Sequence, residues 1–341
     1  MEIDMPRIFA LDSVKFFLIC LVILGHTLGF FIKEKTLSYG IYNFIYLFHM
    51  PLFVFLSGYF TKSYGLKSVK MWISLLMLFE SYILFDVLHR IPDMLYKNIN
   101  LYSLIEPSWS LWYLLSLIYW RFSAQFFSLL HVSKWIILIS AVVVGLVSGF
   151  LPIGYGLSIQ RTFSFFPFFI CGFLFSKTDA LLKIKAINTI ISVSCILISL
   201  LLCLFLVNFN ISDIVWGGKP YAESIFGLWH SLVYRFLFFI VSSLICVSVL
   251  NLFLHFFSRE NIFAVEGKKT MLYYVYHTFM LGFIFYFIEG TMLMEYPSLA
   301  FVITPIVIFF LFCISRFSIF SWLTNPITNS VRFLKNRGEE K

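Results

Sequence analysis

Apolar positions along this chain fall into blocks of roughly 18–22 residues, separated by short clusters of charge, Pro, Gly and Asn. A helix needs about 20 apolar residues to cross the hydrocarbon of a bilayer, whereas barrel strands show as alternating segments of about 10. The pattern therefore predicts an all-α integral membrane protein with about ten transmembrane helices. They are expected over 8–31, 41–60, 70–88, 109–128, 134–151, 162–176, 187–207, 229–250, 271–289 and 298–315. The sixth block is short, and Pro167 is expected to kink it. An even number of crossings puts both termini on the same side.

Charge orients this bundle. Of the 25 Lys and Arg, Lys15, Arg121, Arg161 and Arg235 lie in or at the edge of spans. Lys33, Lys35, Arg90, Lys97 and Lys219 fall on one set of connections, and the remaining sixteen fall on the other set and the termini. By the positive-inside rule both termini are expected in the cytoplasm. The longest outer connections, 89–108 and 208–228, carry Pro92, Asn98, Asn100, Asp213 and Lys219. They are either ordinary connectors or a mouth for a polar substrate.

Composition supports the class and removes others. At 60% hydrophobic and only 12% charged, the chain lacks the charge of a soluble enzyme. The net charge of +8 is spread over segment ends, so no nucleic-acid partner is expected. Cys20, Cys171, Cys195, Cys203, Cys246 and Cys313 all sit in apolar blocks and read as small hydrophobes. No cleavable signal, internal repeat or appended soluble domain is apparent, so residues 1–341 read as one membrane domain.

Ionisable residues inside such blocks are costly and point to a site. The first block, LDSVKFFLICLVILGH, holds Lys15 and His26 eleven positions apart. That is close to three helical turns, so both share a face roughly 16 Å apart along the axis. Lys15 either snorkels to headgroups or holds a phosphate-bearing ligand. His26 either bonds a neighbouring helix or works as a general base.

Other stretches add weaker candidates. In FHMPLFVFLSGYF, Pro51 is expected to break the helix one turn into its span, and His49 to lie near the outer boundary, structural or bonding a substrate. Trp109, Ser110, Trp112 and Tyr113 form either an interfacial aromatic belt or a platform for sugar rings. Arg161 is an interface anchor, or binds a carboxylate or phosphate, or polarises a carbonyl; His277 sits within a span and needs a partner. Glu80 is the deepest acid and is expected to orient His26, with Asp86, Arg235 and Glu289 as further embedded or edge candidates. There is no H-E-x-x-H, clustered Cys, phosphate-binding loop or dinucleotide fingerprint, so no metal is expected.

Taken together, LDSVKFFLICLVILGH, FHMPLFVFLSGYF, SLWYLLSLIYWR, RTFSFFPFFICG and YVYH resemble acyltransferase family 3 of the membrane-bound acyltransferases. The nearest branch is the fucose 4-O-acetylase-like one. The family's first span carries a basic residue, ten residues and a His; Lys15 stands where Arg is commonest. The resemblance implies a ten-helix enzyme of the cytoplasmic membrane that takes acetyl from cytoplasmic acetyl-CoA. The acceptor would be a hydroxyl of a capsule, lipopolysaccharide or other lipid-linked carbohydrate, with polysaccharide-assembly proteins as possible partners. Lys15, helped by Lys62, would then hold the CoA phosphates, and His26 would act as base or acyl carrier. Arg161 and His277 would stabilise the oxyanion or position the acceptor beside His49, Trp109, Ser110 and Trp112. The alternative is a proton-coupled transporter or polysaccharide exporter using Lys15, His26 and Glu80.

Overall fold

A computed structural model describes residues 8–32, 36–96, 105–130, 132–176, 178–207 and 211–331, with the side chains of 92–96 outside that description. Among the described residues there is no strand, and every predicted block is occupied by a helix. In chain order these are α1 (Phe9–Phe31), α2 (Leu37–Tyr59), α3 (Val69–Tyr96), α4 (Trp112–Phe127) and α5 (Lys134–Val147). They continue with α6 (Ile159–Phe175), α7 (Thr189–Phe205), α8 (Leu228–Phe256), α9 (Thr270–Ile288) and α10 (Ala300–Ile314). Among the described residues seven helices are long and apolar enough to cross a membrane, α6 and α10 once their flanking 3-10 turns are included. At 16, 14 and 17 residues, α4, α5 and α7 are shorter than the about 20 that a perpendicular crossing takes. The molecule is an all-α, multi-pass membrane protein.

Two local expectations are corrected. Pro51 lies beyond the middle of α2, which continues past it; Pro167, expected to kink its span, lies inside α6. In a membrane bundle, neighbouring helices absorb the freed backbone groups that would end a soluble helix. The α3 helix runs to Tyr96 instead of stopping near 88, so part of the 89–108 connection is helical. Asn98, Asn100, Asn208 and Asn210 lie outside the described residues.

Lipid offers no hydrophobic drive for helices to associate, so close backbone packing and polar contacts must do it. The α2–α6 pair shows the first device. A Cβ on Gly58 would fall on the Phe169 carbonyl oxygen, and one on Gly172 would fall on that of Phe55. The two glycines thus let the helices touch backbone to backbone, and this contact fixes α6 against α2. The second device is a buried charge network. Glu266, fully buried, accepts from Arg316 at 2.6 Å, Tyr273 at 2.9 Å and Ser315 at 3.2 Å, with Lys269 at 3.6 Å. A buried carboxylate is tolerated only when paired and fully hydrogen-bonded, as it is here. Next to it, Gly267 packs against the Asp12 backbone of α1, so the network braces the start of α1, where Lys15 stands.

The last described segment reaches that same end. Asn325 donates to the Met77 carbonyl of α3 at 2.6 Å and lines a cavity with Lys15.

Candidate active site

Two cavities of about 320 Å³ each occupy the core, one toward each end of the bundle. Their placement follows from α1, a single straight run carrying Lys15 near its start and His26 near its end. Eleven residues at 1.5 Å each separate them by roughly 16 Å along the axis. Lys15 lines one cavity and His26 lines the other.

The His26 cavity draws on α1, α2, α4, α6 and the connection before α8. His26, His49 and Arg161 supply its ionisable groups, and Tyr42, Tyr46, Trp109, Trp112 and Trp216 supply aromatic faces. Among the described residues no carboxylate lines it. The Arg161 guanidinium lies over the rings of Tyr155 at 4.7 Å and Trp112 at 5.1 Å. It has no carboxylate within ion-pair distance among the described residues. Stacking holds the cation's plane while leaving its N–H edge available. The turn before it carries Leu157 and Ser158 at φ +47° and +59°, a left-handed backbone that costs energy for residues with side chains. Ser116 on α4 sits 3.0 Å from the Ser158 hydroxyl and 2.8 Å from that of Thr162, pinning this turn. At the rim, Asp213 accepts from Lys219 at 2.7 Å, and this contact raises the lysine's pKa.

His49 is corrected in depth. It lies past the midpoint of α2, buried, and not near the outer boundary. Its Nδ1 is 2.7 Å from the Ile45 carbonyl, which can only accept, so Nδ1 carries the proton and Nε2 keeps its lone pair.

Trp109 is held by a device that sequence reading did not find. Asp86 accepts from Arg90 at 2.6 Å and from the Ser108 amide at 2.9 Å, and Arg90 also donates to the Glu106 carbonyl. These bonds clamp the segment entering Trp109, whose φ is +50°. The indole then packs beside Phe30 of α1, at 5.5 Å between ring centres.

The Lys15 cavity is lined by Lys15, Ser57, Phe60, Ser74, Arg121, Thr270 and Asn325 with surrounding apolar groups. Lys15 pairs with Asp12 at 2.7 Å and lies over the Phe60 ring at 4.7 Å. Arg121, counted in the sequence only as an edge charge, is the less compensated cation. Its NH1 donates to Ser74 at 2.8 Å, and its Nε is buried without a hydrogen-bond partner among the described residues. A smaller cavity of about 180 Å³ adjoins it, sharing Phe60, Ser74 and Arg121 and adding Lys62. Gln125 fixes the loop that bears Lys62, donating to the Lys62 carbonyl at 3.0 Å and accepting from the Tyr64 and Gly65 amides.

A thin aromatic wall divides the two main cavities. Phe53, Tyr113 and Tyr274 face the Lys15 side, while Met50 and Trp112, close by on α2 and α4, face the His26 side. Tyr113 bonds Ser57, and Tyr274 donates to the Ser110 carbonyl.

Two sequence expectations fail here. Glu80 does not orient His26: its carboxylate accepts from the amides of Ile327 and Thr328 and the Thr328 hydroxyl, capping the C-terminal segment. Ser110 does not face a cavity, because the 3-10 turn Trp109–Leu111 directs it inward, where it is buried against α9. His277 is also buried, behind His26, with 5.3 Å between ring centres. Arg235 is engaged with Ser164 at 2.9 Å and the Tyr221 ring, away from both cavities.

The fold and site define a polytopic helical membrane protein with a cationic cavity at one end and a His/Arg/aromatic cavity at the other. The chain belongs to acyltransferase family 3, whose acyltransferase-domain model matches residues 8–325. It is similar to the nodulation protein NolL of Sinorhizobium fredii, 35% identical over 49% of this chain and 48% of that protein. The NolL of Mesorhizobium japonicum is 29% identical over 50% of this chain and 48% of its own length. The match thus spans about half the length of these curated relatives. No solved structure matches the chain.

Proposed function

We propose that this protein is a membrane O-acyltransferase that moves acetyl from cytoplasmic acetyl-CoA to a hydroxyl of a cell-surface or lipid-linked carbohydrate. Family membership supports acyl transfer, and the excess of Lys and Arg on the Lys15 side supports a cytoplasmic donor and residence in the cytoplasmic membrane. The observation that carries the reading is the pair of cavities set back to back across one aromatic wall.

Arg121 and Lys15, with Lys62 at the mouth, hold the donor's phosphates. The bidentate fork of Arg121 suits phosphate oxygens better than the Asp12-paired ammonium of Lys15. The roughly 16 Å from Lys15 to His26 matches the reach of an extended pantetheine arm. That arm brings the thioester past Tyr113 and Tyr274, whose hydroxyl contacts must yield as it enters. The carbohydrate enters the His26 cavity, where Trp109 and Trp112 offer ring faces and His49 a lone pair to a hydroxyl.

The chemistry then balances within the site. The acceptor hydroxyl gives its proton to His26 as its oxygen attacks the thioester carbon. The tetrahedral oxyanion forms beside the Arg161 guanidinium, and a positioned cation or donor of this kind contributes about 10²–10³-fold. Collapse breaks the C–S bond, and the proton on His26 passes to the departing thiolate, giving ester and free CoA.

Purified protein in nanodiscs, given radiolabelled acetyl-CoA, tests this reading through slow hydrolysis without the natural acceptor. Wild type releases acetate, while His26→Ala falls by about 10²–10⁴-fold, the usual contribution of a general base. Undiminished turnover in His26→Ala sinks the role of His26, and no turnover in folded wild type favours the exporter.

A further inference from the structure

On the reading that His26 is the general base, something must fix which of its ring nitrogens carries the proton. In hydrolases of the Ser-His-Asp kind a buried carboxylate does this. Among the described residues no carboxylate does: Glu80 is committed to Ile327 and Thr328, Asp86 to Arg90 and Ser108, and Glu266 to Arg316 and Tyr273 at the Lys15 end of α1. We propose that His277 is the positioning residue for His26, an uncharged imidazole acceptor doing what a carboxylate does in a triad.

The contacts of His277 fix its tautomer. Its Nδ1 lies 2.7 Å from the Tyr274 carbonyl and 3.2 Å from that of Tyr273. Carbonyl oxygens only accept, so Nδ1 bears the proton and Nε2 of the neutral ring must be an acceptor. That Nε2 is buried and has no hydrogen-bond partner among the described residues. The side chain is 0% exposed, so bulk water does not reach it. A buried acceptor left unmet is costly. The ring in reach that carries an N–H is His26, 5.3 Å away between centres. The two rings are tilted by 42° and their nitrogens do not bond as they stand; with each nitrogen about 1.1 Å from its ring centre, a turn of the His26 ring that faces them would bring them about 3 Å apart, a hydrogen-bond distance.

The consequence is chemical. With one His26 nitrogen donating to His277, the other carries the lone pair on the cavity side, where the acceptor hydroxyl arrives. When His26 takes that proton, its bond to His277 becomes charge-assisted and strengthens as the imidazolium forms. A neutral partner also adds no negative charge to a cavity that, among the described residues, contains no carboxylate.

Two substitutions separate this role from a structural one. In His277→Asn the short amide can keep the bond to the Tyr274 carbonyl but loses the group facing His26. In His277→Gln the longer amide can place an oxygen near the former Nε2. Turnover of acetyl-CoA in nanodiscs is expected to fall at least about 100-fold in His277→Asn and to stay within about tenfold of wild type in His277→Gln. The loss should be in kcat, with acetyl-CoA affinity unchanged.

The ¹⁵N spectrum of histidine-labelled protein, with His26 assigned by its substitution, gives a readout independent of activity. One neutral tautomer of His26 is expected in wild type and His277→Gln, and a mixture in His277→Asn. Rescue by Asn in place of Gln, or a His26 tautomer indifferent to residue 277, overturns the proposal while leaving the acyltransferase reading intact. Folded wild type that neither binds nor turns over acetyl-CoA removes that reading instead, and the spectrum still decides whether the two rings are paired.

Discussion

At the scale of single residues, the division of labour between the cavities rests on which cations are already paired. Lys15 shares its charge with Asp12, and among the described residues Arg121 has a serine hydroxyl as its hydrogen-bond partner and no carboxylate at ion-pair distance. Replacing Arg121 by Gln should therefore weaken acetyl-CoA binding by about 10–100-fold, the span of one charge-assisted hydrogen bond. Lys15→Ala should cost less, and equilibrium binding in nanodiscs ranks the two. A larger loss at Lys15 than at Arg121 would show that Asp12 leaves the lysine free for the donor. Lys15 and His26 were legible in the sequence because both sit on one helix, where the 3.6-residue period places them without knowledge of any partner. Glu80 was misread because its partners, Ile327 and Thr328, lie 247 and 248 positions away. Arg121 was passed over because a cation near the end of an apolar block looks like a topology signal until its cavity is seen.

At the scale of elements, the site depends on α2 and α6 meeting backbone to backbone, since these helices carry His49 and Arg161. Gly58→Ala places a methyl on the Phe169 carbonyl oxygen, and overpacking of this kind costs about 1–3 kcal/mol. Thermal unfolding in detergent should move down by at least about 3 °C. Gly282→Ala, with open space at the added carbon, should leave it unchanged, and equal shifts would show that the close approach is not essential. The clamp on Trp109 makes a second claim. Asp86→Asn weakens the charge-assisted bonds to Arg90 and Ser108, so acceptor KM should rise several-fold while acetyl-CoA binding holds. A matching fall in donor binding would place Trp109 in the donor's path. Helix positions were readable because apolar block length alone sets them. The clamp and the glycine contact were not, because each is a relation between segments that no local pattern encodes.

At the scale of the whole molecule, one bundle holds two cavities, and the proposed function makes the Lys15 cavity, braced by Glu266 and its partners, the donor site and the His26 cavity the transfer site. The wall of Phe53, Tyr113 and Tyr274 keeps them apart, so binding and chemistry should be separable by substitution. The most direct test titrates acetyl-CoA into nanodiscs of wild type, Arg121→Gln and His26→Ala, and measures turnover on the same samples. The account predicts that Arg121→Gln loses affinity by about 10–100-fold. His26→Ala should bind as wild type does and lose turnover by about 10²–10⁴-fold. Affinity lost with His26, or kept undiminished without Arg121, would contradict the division of donor and transfer chemistry between the two cavities.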